Sequence, residues 1–175
     1  MLNLRDGVYS AIALDPGGTT GIAEYRAKVI HTPDGVPEYF DERFHHNALG
    51  PEPHFMQLHQ YLEMMRTYNF HLVCESFQNR GIDKELVSAE LIGVVKMFKQ
   101  ETDCIPYFAD TEWMFWNTAS VVTSKKEGGS FWTDEKLKKL DVWFTGMKHP
   151  NDAMKHLLQH LVFTMNRKDI LARLK

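Results

Sequence analysis

The sequence predicts an α/β fold in which helices flank a mixed β-sheet. Three observations indicate this class. Short apolar segments rich in β-branched residues alternate with segments of helical periodicity. The first two predicted strands are joined by only a tight turn, which favours antiparallel pairing, whereas the later strands are separated by helices. The length of 175 residues predicts a single domain over 1–175 with a sizeable core.

Three extended segments are predicted near the beginning of the chain. Residues 8–14 (VYSAIAL) form an apolar strand that ends at Asp15 and runs into the turn Pro-Gly-Gly-Thr-Thr-Gly. A second strand follows at 21–26, and because only the turn separates the two, they should form an antiparallel hairpin. A third extended segment is predicted between residues 29 and 44, with an interruption at 31–35.

Helices and strands alternate in the middle of the chain. Apolar residues at three-to-four spacing predict helices over 54–68 and 83–100, and Gly93 inside the second helix indicates a close packing contact. Strands are predicted at 70–77 (FHLVCESF) and 104–109. The strand 70–77 should present Leu72 and Cys74 on one face and Val73 and Glu75 on the other.

The segment beyond Glu112 is predicted to be mainly helical. A glycine loop over 125–130 precedes a short helix with Thr133 as its N-cap, and Asn151 is the predicted N-cap of the last long helix. The aromatic residues of this segment are predicted to pack in the core or in a dimer interface: Trp113, Phe115 and Trp116.

Composition and charge limit the classes of function. Hydrophobic residues make up 43% and charged residues 25% of the chain, which is typical of a folded globular protein. No apolar run approaches the roughly 18 residues that span a bilayer, no secretion signal is recognisable, and Cys74 and Cys104 are expected to be buried thiols. We therefore expect a cytoplasmic protein without a membrane partner.

The net charge of −3 divides into −8 over residues 1–112 and +5 over residues 113–175. A basic end beside an acidic body predicts a surface that faces a polyanion next to a carboxylate-rich region. A solvated surface with chance clustering of charge remains the alternative interpretation.

Three carboxylates occupy positions that folded chains seldom give to acidic residues. Asp15 ends an apolar strand, Glu75 lies inside a strand among apolar neighbours, and Asp152 opens a helix with one apolar face. A buried carboxylate costs several kcal/mol unless it is paired or ligates a cation, so a shared divalent cation would satisfy them together. All-oxygen ligation favours Mg²⁺ or Mn²⁺ over Zn²⁺. Taken singly, Asp15 could cap the following turn and Asp152 could complement a helix dipole.

The ordered set Asp15 in ALDPGGTTGIA, Glu75 in LVCESF and Asp152 in HPNDAMKHLL resembles the RuvC-like Holliday junction resolvases of the ribonuclease H-like superfamily, especially their bacteriophage versions. The resemblance covers residues 8 to about 163. It implies a ribonuclease H-like domain with a central mixed five-stranded sheet flanked by helices. It also implies a metal-dependent, structure-selective endonuclease that resolves Holliday junctions and other branched DNA, in the host cytoplasm if the chain is phage-encoded.

The resemblance assigns roles to individual residues. Asp15 would bridge two Mg²⁺ or Mn²⁺ ions about 4 Å apart, Glu75 would bind one ion, and Asp152 with His149 would bind the other. These four residues would together be the catalytic and metal-binding set. His156 lies four residues beyond Asp152 and faces the same way, so it is either a proton carrier beside the site or a partly buried structural histidine.

Contacts with branched DNA are predicted around the carboxylates. Family members carry an aromatic residue that stacks on a junction base, usually three positions after the glutamate, where this chain has Gln78; Phe77 is the nearest aromatic. Basic residues that would neutralise phosphates without reading bases are Arg80, Lys84, Lys125 and Lys126, followed by Lys136, Lys138 and Lys139. For any single lysine, solubility is the alternative. The two-fold symmetry of a junction favours a homodimer.

Alternatives of other classes remain open at this stage. A non-catalytic nucleic-acid-binding protein could keep the same fold, and a related nuclease could act on RNA–DNA hybrids or single strands. The turn DPGGTTG also resembles the first phosphate loop of actin-like and sugar-kinase ATPases, but no second phosphate loop is recognisable. Apart from His149 and His156, the histidines show no zinc spacing and are interpreted as surface or packing residues.

Overall fold

A mixed β-sheet forms the centre of the fold. The computed structural model describes residues 6–51, 54–66, 69–76, 86–106, 112–117 and 131–175. The sheet has five strands in the order β3-β2-β1-β4-β5, in which β1–β2 and β2–β3 are antiparallel and β1–β4 and β4–β5 are parallel. The strands are β1 Gly7–Asp15, β2 Thr20–His31, β3 Pro37–Leu49, β4 Asn69–Ser76 and β5 Glu112–Asn117.

Helices cover both faces of the sheet. Helices α1 Phe55–Met65 and α2 Leu86–Asp103 lie on one face, and α3 Asp134–Lys139, α4 Lys148–Gln159 and α5 Lys168–Ala172 lie on the other, with a π-helical turn at His160–Thr164. This arrangement confirms the predicted α/β class with a mixed sheet. Among the residues that the structure describes, no helix is both long and apolar enough to cross a bilayer.

Strand β1 is buried on both faces, and its side chains alternate between two cores. Tyr9, Ala11 and Ala13 pack with α3, α4 and α5, whereas Ile12 and Leu14 pack with α1 and α2. Such a continuous apolar run is what a central strand requires. The alternation predicted for β4 is confirmed, since Leu72 and Cys74 join the α1–α2 core and Val73 joins the other.

The interruption predicted at 31–35 within the third extended segment is the turn between two long strands, so residues 29–31 belong to β2 instead. β2 and β3 form one hairpin that pairs from Thr20–Leu49 to His31–Pro37. The turn is closed by backbone hydrogen bonds from Thr32 N–H to the carbonyl of Val36 and from Gly35 N–H to that of Thr32. The extended segment is therefore longer than the sequence pattern indicated, because residues 45–49 continue the pairing with β2.

The predicted position of the fifth strand is wrong. The sequence placed the fifth strand at 104–109, but residues 104–106 form a turn after α2 and the strand lies at 112–117, where helix was expected. The aromatic segment EWMFWN fits a strand that adds to an existing sheet edge. Residues 107–109 of the expected strand lie outside the described residues.

Asn151 is not the N-cap of the last long helix. That helix begins at Lys148, and the buried Asn151 bonds the preceding loop: its side-chain NH₂ donates to the carbonyl of Phe144 at 2.8 Å, and its Oδ1 accepts from the N–H of Phe144 at 3.0 Å. Thr133 does cap its helix, since its Oγ1 accepts from the N–H of Lys136.

Two smaller expectations are also wrong. Cys74 is buried as expected, but Cys104 is exposed. Gly93 is exposed, and a Cβ built there would meet nothing within 4 Å, so it marks no close packing contact. The close approach is instead at Gly21 in β2, where a Cβ would lie 2.1 Å from the carbonyl carbon of His149. The backbone at the start of α4 therefore rests directly on β2.

The substitution Gly21→Ala tests this contact. The new methyl group must displace α4, and we expect the free energy of unfolding to fall by about 1–3 kcal/mol. The matched control Gly93→Ala places a methyl group in open space on an exposed helix, and there we expect a gain of roughly 0.5–1 kcal/mol. Urea denaturation measures both. Equal stability of the Gly21→Ala variant and the unmodified protein would show that α4 does not pack on β2.

Candidate active site

Asp15 and Glu75 meet at the ends of two adjacent parallel strands. Asp15 continues the side of β1 that carries Tyr9, Ala11 and Ala13, and it therefore faces α4. On β4, Glu75 follows Val73 on that same face. The register pairs Leu14 with Cys74, so the next residue of each strand brings the two carboxylates side by side. The two are close enough to share a hydrogen bond when one is protonated.

His149 at the start of α4 completes this group. Its Nδ1 lies 2.8 Å from Oδ2 of Asp15. Register explains the approach, because Asp15 pairs across the sheet with Gly21, the residue on which the backbone of His149 rests. A side chain at position 21 would hold α4 away from β2. The absence of a Cβ in one residue therefore allows the imidazole to reach the carboxylate.

Burial dominates the electrostatics of Asp15. Desolvation and the neighbouring Glu75 carboxylate raise the pKa of Asp15 to about 7, and the hydrogen bond from His149 partly offsets that rise. In turn, the hydrogen bond to Asp15 raises the pKa of His149 above its usual range, against a smaller opposing effect of burial. The net rise in the pKa of Asp15 shows that His149 does not fully offset burial and the neighbouring carboxylate, so the site favours additional positive charge.

His156 lies beneath Glu75, as the predicted orientation of its helix face requires. Its side chain is completely buried, and its Nε2 is 3.3 Å from Oε2 of Glu75. Positions 149 and 156 are two turns apart on α4, so one side of this helix presents an imidazole to each carboxylate. His156 is therefore buried and also in contact with the candidate site.

Asp152 has a different partner. Lys155, three residues further along α4, places its Nζ 2.9 Å from Oδ1 of Asp152 and 3.1 Å from Oδ1 of Asp134 on α3. The two carboxylates raise the pKa of Lys155, although burial acts to lower it. Sequence analysis did not consider Lys155, although its spacing from Asp152 is that of a helical ion pair. The contribution of Asp134 becomes visible only in the tertiary structure.

The turn between β1 and β2 is held by contacts from three directions. Ser88 of α2 donates its hydroxyl to the carbonyl of Pro16 at 2.9 Å, and Oγ1 of Thr20 lies 2.7 Å from Nε2 of the buried His54. A Cβ on Gly50 would lie 2.5 Å from the carbonyl oxygen of Gly18, so the loop after β3 packs directly against this turn. These contacts fix the end of β1 and hence the position of Asp15.

The residues predicted to contact DNA are mostly not described. Phe77, Arg80, Lys84, Lys125 and Lys126 lie outside the described residues. On α3, by contrast, the predicted lysines are placed. Lys136 donates to the carbonyl of Phe131 at 2.7 Å, and Lys138 lies 5.2 Å from the ring centroid of Trp143.

One other group could bind a metal ion. Within the described ranges, only His59, Glu63 and Glu101 offer three ligand atoms that all lie within 4.8 Å of one another. Nε2 of His59 is 2.7 Å from Oε2 of Glu101, and Glu63 accepts a hydrogen bond from Arg66 at 2.6 Å. These pairs account for the cluster without an ion. No three of the four residues predicted as metal ligands, Asp15, Glu75, His149 and Asp152, bring ligand atoms within that distance of one another.

The pair Asp15–Glu75 nevertheless fits a hard divalent cation. The donors are carboxylate oxygens, which Mg²⁺ and Mn²⁺ prefer, and the adjacent imidazole adds a ligand that Mn²⁺ accepts. The raised pKa of Asp15 reflects unfavourable negative charge that a cation would relieve. Lys155 contacts only Oδ1 of Asp152, but its positive charge opposes a cation at that carboxylate.

The fold is that of RuvC. A structure of Thermus thermophilus RuvC in complex with a Holliday junction substrate is similar to this chain with a TM-score of 0.53 and 12% identity, covering 90% of this chain and 96% of that chain. A second structure of T. thermophilus RuvC has a TM-score of 0.52, 13% identity and the same coverage. No protein-family model and no curated protein sequence matches the chain. The resemblance inferred from the sequence is thus confirmed at the level of the fold.

The Asp15→Asn substitution tests the electrostatics of the site. Native Asp15, with a pKa of about 7, keeps its proton in the interval from about 4 to 7, where the unfolded chain has already lost it. The contribution of Asp15 to the free energy of unfolding therefore falls as pH rises through this interval and is constant above it. Asn cannot ionise, so the variant should lack this loss and gain up to about 4 kcal/mol relative to the unmodified protein at pH 8. Urea denaturation between pH 4 and 8 measures the difference; parallel curves would contradict the raised pKa.

Proposed function

We propose that this chain is a metal-dependent, structure-selective DNA endonuclease that resolves Holliday junctions and other branched DNA. The observation that carries the proposal is the pair of adjacent carboxylates, Asp15 and Glu75, at the centre of a RuvC fold. Asp15 is buried and Glu75 is half-buried, so placing the two carboxylates together costs stability and indicates a purpose that needs concentrated negative charge. Binding a divalent cation for phosphodiester hydrolysis is such a purpose.

Asp15, Glu75 and His149 would hold Mg²⁺ or Mn²⁺, with Asp152 as a fourth ligand beside Lys155. Two such ions, when bound, supply activation of a water molecule and stabilisation of the leaving oxygen. The side chains of the protein would hold the ions in position and supply the negative charge that binds them. Asp15, with a pKa of about 7, is readily deprotonated at neutral pH when positive charge arrives.

The two histidines of α4 would orient the carboxylates and handle protons. Nδ1 of His149 fixes the rotamer of Asp15 through the 2.8 Å contact. Nε2 of the buried His156, 3.3 Å from Glu75, can hold a proton between the carboxylate and the helix. Because His149 is hydrogen-bonded to Asp15, substitution of His149 should change the charge state of that carboxylate.

The proposed partner is branched DNA. The RuvC structure with a Holliday junction substrate supports this class, and the basic C-terminal part of the chain, +5 over residues 113–175, suits a polyanion. Phe77, Arg80, Lys84, Lys125 and Lys126 remain the proposed DNA contacts. A homodimer would supply one active site for each of the two symmetric cuts. We further propose a single catalytic domain over 1–175, of the bacteriophage type and acting in the cytoplasm.

One observation favours a second candidate, a non-catalytic DNA-binding protein of the same fold. The ammonium group of Lys155 already compensates the charge of Asp152 at 2.9 Å, and Asp134 holds that ammonium from the other side. The positive charge of Lys155 opposes a metal ion at this expected ligand. The two candidates differ in a measurable way, because only the nuclease requires a metal ion at the site.

Cleavage of a synthetic four-way junction with Mg²⁺ or Mn²⁺ tests the activity. We expect Asp15→Asn and Glu75→Gln each to lower the cleavage rate at least about a hundredfold while binding of the junction persists, because each removes a carboxylate from the cation site. Glu63→Gln, which removes a carboxylate of α1 outside this site, is the matched control and should cleave normally. Unchanged cleavage by both active-site variants would refute the nuclease. Binding without any cleavage by the unmodified chain would favour the second candidate.

Metal binding is tested separately from cleavage through Lys155→Gln. This variant frees Asp152 from the ammonium group, so we expect Mn²⁺ to bind at least about tenfold more tightly, as measured by calorimetry without DNA. Asp15→Asn should abolish that binding, and Glu101→Gln should leave it unchanged, since Glu101 belongs to the separate cluster with His59. Mn²⁺ binding that depends on Glu101 and not on Asp15 would place the metal in the wrong site for this function.

A further inference from the structure

Three polar side chains meet inside the core between the sheet and α4. They are Tyr9 of β1, His71 of β4 and His160, which follows α4 and begins the π-helical turn. Tyr9 and His160 are fully buried, and His71 is 3% exposed. The parallel register pairs Ala11 with His71, so Tyr9 and His71 are diagonal neighbours on one face of the sheet. These three residues are called the core cluster below.

Hydrogen bonds alone do not account for the geometry of the core cluster. The hydroxyl of Tyr9 lies 3.0 Å from Nδ1 of His71 and 3.4 Å from Nε2 of His160, and the two nitrogens are 2.9 Å apart. An imidazole nitrogen carries either one proton or one lone pair, directed along a single line in the ring plane, so it makes one well-aligned hydrogen bond. Each of these nitrogens has two contacts, so at least one side of the triangle is not a well-aligned hydrogen bond.

An ion beside the centre of this triangle would contact all three atoms. Their separations leave a point about 2.0–2.1 Å from each atom and about 1 Å outside their plane. Bonds of that length join zinc to imidazole nitrogen, and the ligands of a tetrahedral zinc ion stand roughly 3.3 Å apart. The separations in the core cluster are close to that value.

The chemistry of the three groups selects the kind of ion. Burial lowers the pKa of His71 to about 4 and that of His160 to about 3, so both rings are neutral at pH 7 and can each offer a lone pair. Nitrogen ligands favour Zn²⁺ over the Mg²⁺ or Mn²⁺ expected at the carboxylates. The phenol of Tyr9 would release its proton to solvent when the ion binds, and the phenolate would offset part of the ionic charge in the core.

The core cluster is separate from the other candidate metal sites. When only imidazole, thiol and carboxylate ligands are counted, no third group of the described residues joins His71 and His160 within 4.8 Å, so the phenol of Tyr9 is the third ligand and water would be the fourth. Along β1 the cluster lies roughly 20 Å from Asp15, and along β4 it lies roughly 13 Å from Glu75.

We infer that Tyr9, His71 and His160 bind a zinc ion that links strands β1 and β4 to the end of α4. Because the site is closed to solvent, the ion enters as the chain folds, and its binding free energy adds to the stability of the fold. The π-helical turn that begins at His160 fits such a role, since π-helical turns occur frequently at functional sites. The inference goes beyond the proposed function and does not depend on it, because this ion takes no part in cutting DNA.

The inference is tested by unfolding the unmodified protein in urea with EDTA and refolding it with Zn²⁺ or Co²⁺. Passage through EDTA under native conditions then removes ions from groups that solvent reaches, whereas an enclosed ion leaves only when the chain opens. We expect stoichiometric Zn²⁺ to remain. The Co²⁺ form should show the strong visible absorption of a four-coordinate ion, and either metal should raise the urea midpoint above that of protein refolded in EDTA.

Tyr9→Phe removes one ligand atom and keeps the buried ring. It should weaken Zn²⁺ binding at least about a hundredfold, so that the ion is lost in EDTA and the Co²⁺ absorption disappears. Circular dichroism checks that this variant folds, and His71→Gln is a second variant for which we expect the same loss. His59→Gln, from the group with Glu63 and Glu101, is the control and should retain Zn²⁺ like the unmodified protein.

The outcomes separate this inference from the proposed function. If the unmodified protein retains no Zn²⁺, or if folded Tyr9→Phe retains as much, the core cluster is a hydrogen-bonded network and the inference fails. Loss of the retained ion in His59→Gln would also overturn it, by placing the metal between α1 and α2. Junction cleavage is measured with Mg²⁺ or Mn²⁺ and depends on Asp15 and Glu75, so each of these results leaves the proposed function standing.

Discussion

The contact between Gly21 and the start of α4 determines how the helix and the candidate active site lie against the sheet. Because β2 carries no side chain there, the backbone of His149 and Pro150 approaches the sheet more closely than a Cβ would allow. The same contact lies opposite Asp15 in the β1–β2 register. Helix position, the His149–Asp15 hydrogen bond and the burial of the carboxylates therefore depend on one another, and a single methyl group at position 21 would disturb all three.

The charges near α4 are balanced in two different ways. Asp15 and Glu75 are held together with imidazoles as their neighbours, and this leaves an excess of negative charge in a poorly solvated place. Asp152 and Asp134 instead share the ammonium group of Lys155. The first arrangement is suited to an added cation, and the second resists it. The two proposed functions differ in whether a metal ion binds beside the Lys155 pair.

Two histidines in the core, His71 and His160, do not compensate the charge of the carboxylates. Nδ1 of His71 lies 3.0 Å from the hydroxyl of Tyr9 and 2.9 Å from Nε2 of His160. Burial lowers the pKa of His71 to about 4 and that of His160 to about 3, so both are uncharged at neutral pH. Although His71 shares the face of β4 that carries Glu75, it adds polar contacts and no charge to the core beneath the site.

The sequence by itself determined the local features: the strands around Asp15 and Glu75, the alternation of faces in β4, and the side of α4 shared by His149 and His156. These follow from periodicities of two and 3.6 residues, which need no knowledge of distant partners. Only the tertiary structure decided the rest. The fifth strand at 112–117 exists because β4 offers a free edge, Asn151 bonds the loop at Phe144, and Lys155 joins Asp152 to Asp134. Each of these features depends on groups that are distant in the sequence and are brought together by folding. A local sequence pattern gives no information about the distances between such groups.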